Sequence, residues 1–206
     1  MANPINNLLN PQPNVNVHQL LGNLPQHDIQ QDNWGFLDFQ NGRTWYTCDE
    51  KVGLQYADIG PNKLIGTTGL ASCTAIMIAN RNCAIVGHFS PGTGTNDFRN
   101  FVINPSWLHR LQGANTGAWI FHASKDQGEN VPHNDNSGTW LDVKDLRDIL
   151  LDDLHLDELN IGLLMYKPPV EGSPLGTGGE ETVMVDGRNS PGLFPQVYAQ
   201  GFNLLT

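Results

Sequence analysis

Between Thr67 and Phe89 the chain carries two apolar runs, Ala75-Ile76-Met77-Ile78 and Cys83-Ala84-Ile85-Val86, separated by the polar triplet Asn80-Arg81-Asn82. Runs of strand length around so short a polar turn read as a β-hairpin. An antiparallel hairpin brings the start of its first strand beside the end of its second. Cys73, at the head of the first run, and His88, near the end of the second, are therefore expected neighbours. No other stretch limits the fold and the chemistry together in this way.

A thiol is a nucleophile only as thiolate, and an adjacent imidazole is the usual means of forming and holding that state at neutral pH. The Gly-containing loop before Cys73 also offers the backbone N–H groups of Ser72 and Cys73 to the oxygen of a tetrahedral intermediate. A lone cysteine in a β-rich region is ordinarily a small buried hydrophobe. The expected His88 is what sets a nucleophilic role beside that plain one. Cys48, with no His at close spacing, is read as structural.

The string Thr67-Thr68-Gly69-Leu70-Ala71-Ser72-Cys73, followed by Gly87-His88-Phe89 and Pro91, resembles the signature of the bacterial chemoreceptor glutamine deamidases. More loosely it resembles the catalytic domains of cytotoxic necrotizing factor and Burkholderia lethal factor. Ala71 stands where the chemotaxis enzymes usually carry Gly. The resemblance implies a Cys-His-Thr catalytic set of Cys73, His88 and Thr67, acting on glutamine side chains of proteins. It also implies an α+β fold in which mixed β-sheets pack as a sandwich with helices outside. Ser72, Thr68 and Ser90 are assigned to the oxyanion or substrate-lining surface, and neither a metal nor an organic cofactor is required.

Taken in order, residues 1–32 are rich in Asn, Gln and Pro, and the segment reads as a flexible leader outside the domain. Its Leu pairs at 8–9 and 20–21 suit short pieces docking on the body, and His18 and His27 are expected to be solvated. A single deamidase-like domain is expected over residues 33–206, which is long enough for one substantial core. Trp34–Phe39 and Thr44–Thr47 flank Asn41-Gly42 as a hairpin. Val52–Ile59 is a strand or a short helix. Helices are expected over Asp97–Val102 and Ser106–Gln112, with His109 exposed on the second. Ala118–Ala123 reads as a strand carrying His122, and Lys125–Gly138 as a polar loop containing His133.

Val143, Leu146, Ile149, Leu150 and Leu154 make one apolar stripe, so Val143–Leu154 is predicted helical with Asp142 as its cap. The acidic residues Asp148, Asp152 and Asp153 are then its solvated face rather than paired catalytic carboxylates. Ile161–Tyr166 is expected as a buried strand and Thr182–Val185 as the last clear strand. The tail from Ser190 to Thr206 reads as irregular.

Composition excludes several classes. Twenty-one acidic against 11 basic residues give a net charge of −10, which disfavours nucleic acid or an anionic membrane as partner. Three cysteines without a C-x-x-C argue against a disulfide framework or a Cys-rich zinc site. His109, His122 and His133 lack metal-ligand spacing. The loop Ser90–Thr95 has no G-x-x-x-x-G-K-[ST] pattern and is no phosphate cradle. No basic-then-apolar leader is present, and no apolar run nears the ~18 residues of a membrane span. A soluble protein is expected, cytoplasmic or delivered to a host cell by a specialised route.

The functional expectation is a protein glutamine deamidase, a cysteine-dependent hydrolase forming a thioester on Cys73, in the setting of a toxin or virulence effector. Its partner is the protein bearing the target Gln. The alternatives are a transglutaminase or cysteine protease with the same dyad, and a catalytically silent protein-binding module of the same fold.

Overall fold

The computed structural model describes residues 8–9, 17–24, 27–47, 54–92, 96–103, 105–113, 115–123, 138–166, 182–188 and 193–200. Cys48 and His133 lie outside them. In chain order the elements are β1 (Leu8–Leu9), α1 (Val17–Gly22), β2 (Asn33–Asp38), β3 (Arg43–Thr47), β4 (Leu54–Asp58), β5 (Leu64–Thr67), β6 (Thr74–Ala79) and β7 (Cys83–Phe89). They continue with α2 (Asn96–Val102), α3 (Pro105–Leu111), β8 (Gly117–Ala123), α4 (Gly138–Asp148), β9 (Ile161–Tyr166), β10 (Thr182–Asp186) and β11 (Gln196–Gln200).

The strands form two sheets, one of seven in the order β4-β3-β2-β7-β6-β8-β9 and one of four in the order β1-β11-β10-β5. The class is α+β, with the mixed character coming from the parallel pairs β8–β9 and β1–β11. The predicted hairpin is present, pairing Thr74 with Phe89, Ala75 with His88 and Ala79 with Ala84. Its two strands are buried along their whole length, because each face meets a different apolar layer.

Ala75, Met77, Ala84 and Val86 face the second sheet, where Ile65, Val183, Val185, Val197 and Ala199 complete the core between the sheets. Ile76, Ile78, Cys83, Ile85 and Phe89 face the other way and pack against Phe98, Val102 and Leu111 of α2 and α3 and against the α4 stripe. A strand with apolar neighbours on both sides shows a continuous apolar run rather than alternation, which is the pattern these residues carry.

Several expectations are corrected. Within the expected flexible leader, the Leu pair at 20–21 docks on the body as anticipated, and residues 27–29 pair with β5. Leu21 is fully buried with Leu64, Met184 and Tyr198. His27, expected to be solvated, is 2% exposed and donates from Nδ1 to the Leu64 carbonyl at 2.6 Å. Residues 27–29 run along β5, with Gly66 N–H bonded to His27 O at 2.9 Å and Ile29 N–H to Gly66 O at 2.8 Å. Gly66 is required there, since a Cβ would come within 2.3 Å of the Val183 carbonyl oxygen.

α4 begins at Gly138, so Asp142 lies inside the helix and does not cap it. It continues through a π-helical turn, Ile149–Asp153, closed by Leu154 N–H on Ile149 O at 3.0 Å. The stripe Val143, Leu146, Ile149, Leu150 and Leu154 is buried as expected. β9 is an edge strand with Leu163 49% exposed, not a buried one. Part of the supposedly irregular tail is β11, which pairs with β10 and buries Val197, Tyr198 and Ala199.

Candidate functional site

Thr67 ends β5 in the four-stranded sheet, while Cys73 and His88 belong to the head of the β6–β7 hairpin in the seven-stranded sheet. The two sheets meet at this end through the side chains of Thr67 and His88. His88 Nδ1 lies 2.7 Å from Thr67 Oγ1, and that same Oγ1 lies 2.6 Å from the Ile29 carbonyl oxygen. The carbonyl can only accept, so the single hydroxyl proton of Thr67 goes to Ile29 O. Oγ1 is left to accept from His88, which places the ring proton on Nδ1 and the lone pair on Nε2.

Nε2 is buried and has no hydrogen-bond partner among the described residues. Burial lowers the His88 pKa to about 4, against the raising effects of the Ile29 carbonyl and the Asp32 carboxylate. The ring is thus neutral at pH 7, and burial opposes protonation of its free nitrogen.

Cys73 lies two residues before Ala75, the direct cross-strand partner of His88. It shares the inter-sheet core with Ala75 and Leu70, so sulfur and imidazole stand on the same side of the sheet. A diagonal step of this kind separates Cα atoms by about 7–8 Å, and no hydrogen bond joins Cys73 Sγ to His88 Nε2. Cys73 is 6% exposed, and its carbonyl oxygen accepts from Tyr166 Oη at 2.6 Å. Tyr166, fully buried at the end of β9, was not singled out by sequence reasoning. A Tyr closing an apolar strand gives no sign of what its hydroxyl will reach.

Thr68 and Ser90 anchor the loops flanking this group. Thr68 donates its N–H to Asp28 Oδ1 at 3.1 Å and its hydroxyl to Asp28 Oδ2 at 2.9 Å. Ser90 donates its N–H to Asp32 Oδ1 at 2.8 Å and its hydroxyl to Asp32 Oδ2 at 2.9 Å, and accepts from Gln31 Nε2. Ser72 is exposed beside the nucleophile candidate. Gly69, at φ 72°, turns the loop so that Ala71 N–H bonds to Gly69 O at 2.8 Å, which commits that amide to the turn.

The remaining candidates stand elsewhere. His122 alternates with Phe121 and Ala123, which face the inter-sheet core, so it projects to the opposite, helix-covered face. Burial lowers its pKa. Cys83 faces the helices, and burial pushes its pKa to about 12, making it an inert thiol. The described residues contain no cluster of three His, Cys, Asp or Glu suited to a metal ion. Among them no helix is long and apolar enough to cross a membrane.

A polar cleft of about 490 Å³ opens at the far end of the hairpin, lined by residues including Asp38, Asn80, Arg81, His109, Arg110 and Thr116. Its buried groups bond one another, Arg110 to Asp38 at 2.9 Å and Asn80 to the Arg110 carbonyl and Thr116 Oγ1. They tie the β6–β7 turn to α3. Compared with known protein families and with curated proteins, the chain matches no family model and no curated sequence.

Proposed function

We propose that the protein is a cysteine-dependent glutamine deamidase that converts a Gln of a target protein to Glu. The observation that carries this reading is the relay Ile29 O, Thr67 Oγ1, His88 Nδ1, which leaves a neutral ring with a buried, unbonded Nε2 on a strand whose neighbour carries Cys73 at its head. The choice of a protein glutamine as substrate comes from the likeness of Thr67–Cys73 and Gly87–Phe89 to the chemoreceptor deamidases.

The Cys73 thiol proton passes to His88 Nε2, and the thiolate attacks the carboxamide carbon. The tetrahedral oxyanion is held by backbone N–H groups of Ser72 and Cys73, each worth roughly 3 kcal/mol when well aimed. His88 returns its proton to the departing nitrogen, the C–N bond breaks, and ammonia leaves a thioester. The neutral ring then takes a proton from water as hydroxide adds to the thioester, and glutamate leaves with the thiol restored. A chain of net charge −10 suits a neutral or basic target surface.

Wild type and Cys73→Ser are incubated with a cell lysate, and peptides are mapped for sites that gain about one dalton. Gln-to-Glu sites present only with wild type are the expected result. Identical maps would remove the deamidase reading, while new Gln–Lys crosslinks or cleaved chains would assign the same dyad to transfer or proteolysis.

A further inference from the structure

His88 must become an imidazolium, in a place that excludes water, for Cys73 to become a thiolate. The Thr67 hydroxyl and the Ile29 carbonyl orient the ring but bring no charge. We propose that Asp32 is a positioning residue of this site: its carboxylate stabilises the His88 imidazolium and holds the end of β7 against it. The proposal rests on the reading of Cys73 and His88 given above.

Asp32 immediately precedes Asn33, which is the direct partner of His88 in the β2–β7 ladder. Its φ of 60° lies in the left-handed region, an unfavourable conformation for a side-chain-bearing residue that here turns the chain into β2. The carboxylate is clamped by Ser90, two residues beyond His88, through both oxygens. A charge so held has its geometry set before the proton moves, which is the condition under which electrostatic stabilisation is effective.

The other titratable groups around the ring do not fill this role. Cys73 is the proton donor, and Tyr166 is committed to the Cys73 carbonyl. Asp28, on the same segment, has both oxygens on Thr68. On the second sheet, Asp186 and Arg188 pair with each other at the Leu64 end of β5, three residues from Thr67. Burial opposes the imidazolium, and among the described residues Asp32 is the carboxylate that favours it.

The test is the pH dependence of Cys73 alkylation by iodoacetamide in the full chain, read by peptide mass spectrometry from pH 5 to 9. Asp32→Asn keeps a side chain that tolerates positive φ and an acceptor for Ser90 N–H, while removing the charge and turning the oxygen that faces the Ser90 hydroxyl into an NH2 group. At pH 6.5 it should label Cys73 about tenfold more slowly than wild type, a shift of one unit in the thiol titration. Asp152→Asn makes the same change in net charge at an exposed position of the π-helical turn, away from the site, and should keep the wild-type profile. Should Asp32→Asn not fold, Asp32→Gly, relieved of the φ strain, replaces it with the same expectation.

A wild-type profile in the Asp32 variant, or equal slowing in Asp152→Asn, overturns the role of Asp32 and leaves the dyad standing. A wild-type Cys73 that labels no faster at pH 6.5 than a thiol in the urea-unfolded chain overturns both.

Discussion

Thr67 has one hydroxyl proton, and its destination sets the protonation of His88. Thr67→Val keeps the shape and strands two buried groups, the Ile29 carbonyl and the His88 Nδ1–H. The expected cost is about 2–4 kcal/mol in urea denaturation, together with slower Cys73 alkylation. Thr67→Ser should restore both, and a Thr67→Val protein with wild-type stability would remove the relay. His27, His88 and His122 all have pKa values lowered by burial, so the unfolded chain binds more protons than the folded one below the ordinary His value. Their contribution is complete above pH 6.5 and is lost as pH falls through the folded values. For His88, moving from 6.5 to about 4, it is on the order of 3 kcal/mol. Urea midpoints should fall between pH 7 and pH 4.5, and His88→Gln should flatten part of that slope. The placement of Cys73 and His88 at one end of the hairpin was legible because hairpin register follows from local pattern, whereas the Ile29 carbonyl was not. A backbone acceptor 38 residues from Thr67 leaves no trace in side-chain identity.

At the scale of elements, the segment 27–32 makes the site what it is. It extends β5 by backbone pairing, inserts Ile29 into the inter-sheet core, and supplies the carboxylates that hold both flanking loops. Ile29→Ala should therefore destabilise the whole domain by about 2–4 kcal/mol in chemical denaturation. A change under about 0.5 kcal/mol would mean that the segment is peripheral. Its composition hid this, because main-chain hydrogen bonds supply most of its attachment and only Ile29 carries an apolar side chain. β9 was misjudged for the converse reason. Its run Ile161-Gly162-Leu163-Leu164-Met165-Tyr166 is apolar throughout, but nothing in such a run tells a central strand from an edge. β11 was missed because five residues after Pro195 are too few to display an alternation.

At the scale of the whole molecule, the hairpin joins two polar ends with different duties. One end carries Cys73, His88 and Thr67 at the seam between the sheets; the other carries the Asp38–Arg110 pair that fixes the turn to α3. A strand of six residues separates them by about 20 Å. Arg110→Ala leaves the Asp38 carboxylate, which is 4% exposed, with only the Gln40 N–H and Asn41 Nδ2 as donors and no cation among the described residues, and should cost about 3 kcal/mol in denaturation experiments. Cys73 alkylation in the folded variant should be unchanged at that distance, and slowed labelling would show the two ends to be coupled.

By itself the sequence determined what is local: the β6–β7 hairpin and its register, the apolar stripe of α4, the α+β class, and the placement of Cys73 and His88 at one end of the hairpin. Those follow from periodicity and turn chemistry, which act within a few residues. Only the tertiary structure decided that Thr67 reaches His88 from a second sheet, that Ile29 takes the hydroxyl proton, and that Asp28, Asp32 and Tyr166 brace the loops and the nucleophile. Each of these is a hydrogen bond spanning from 21 to 93 residues of chain. Such bonds form only once apolar burial has brought the sheets together, so no local pattern records them.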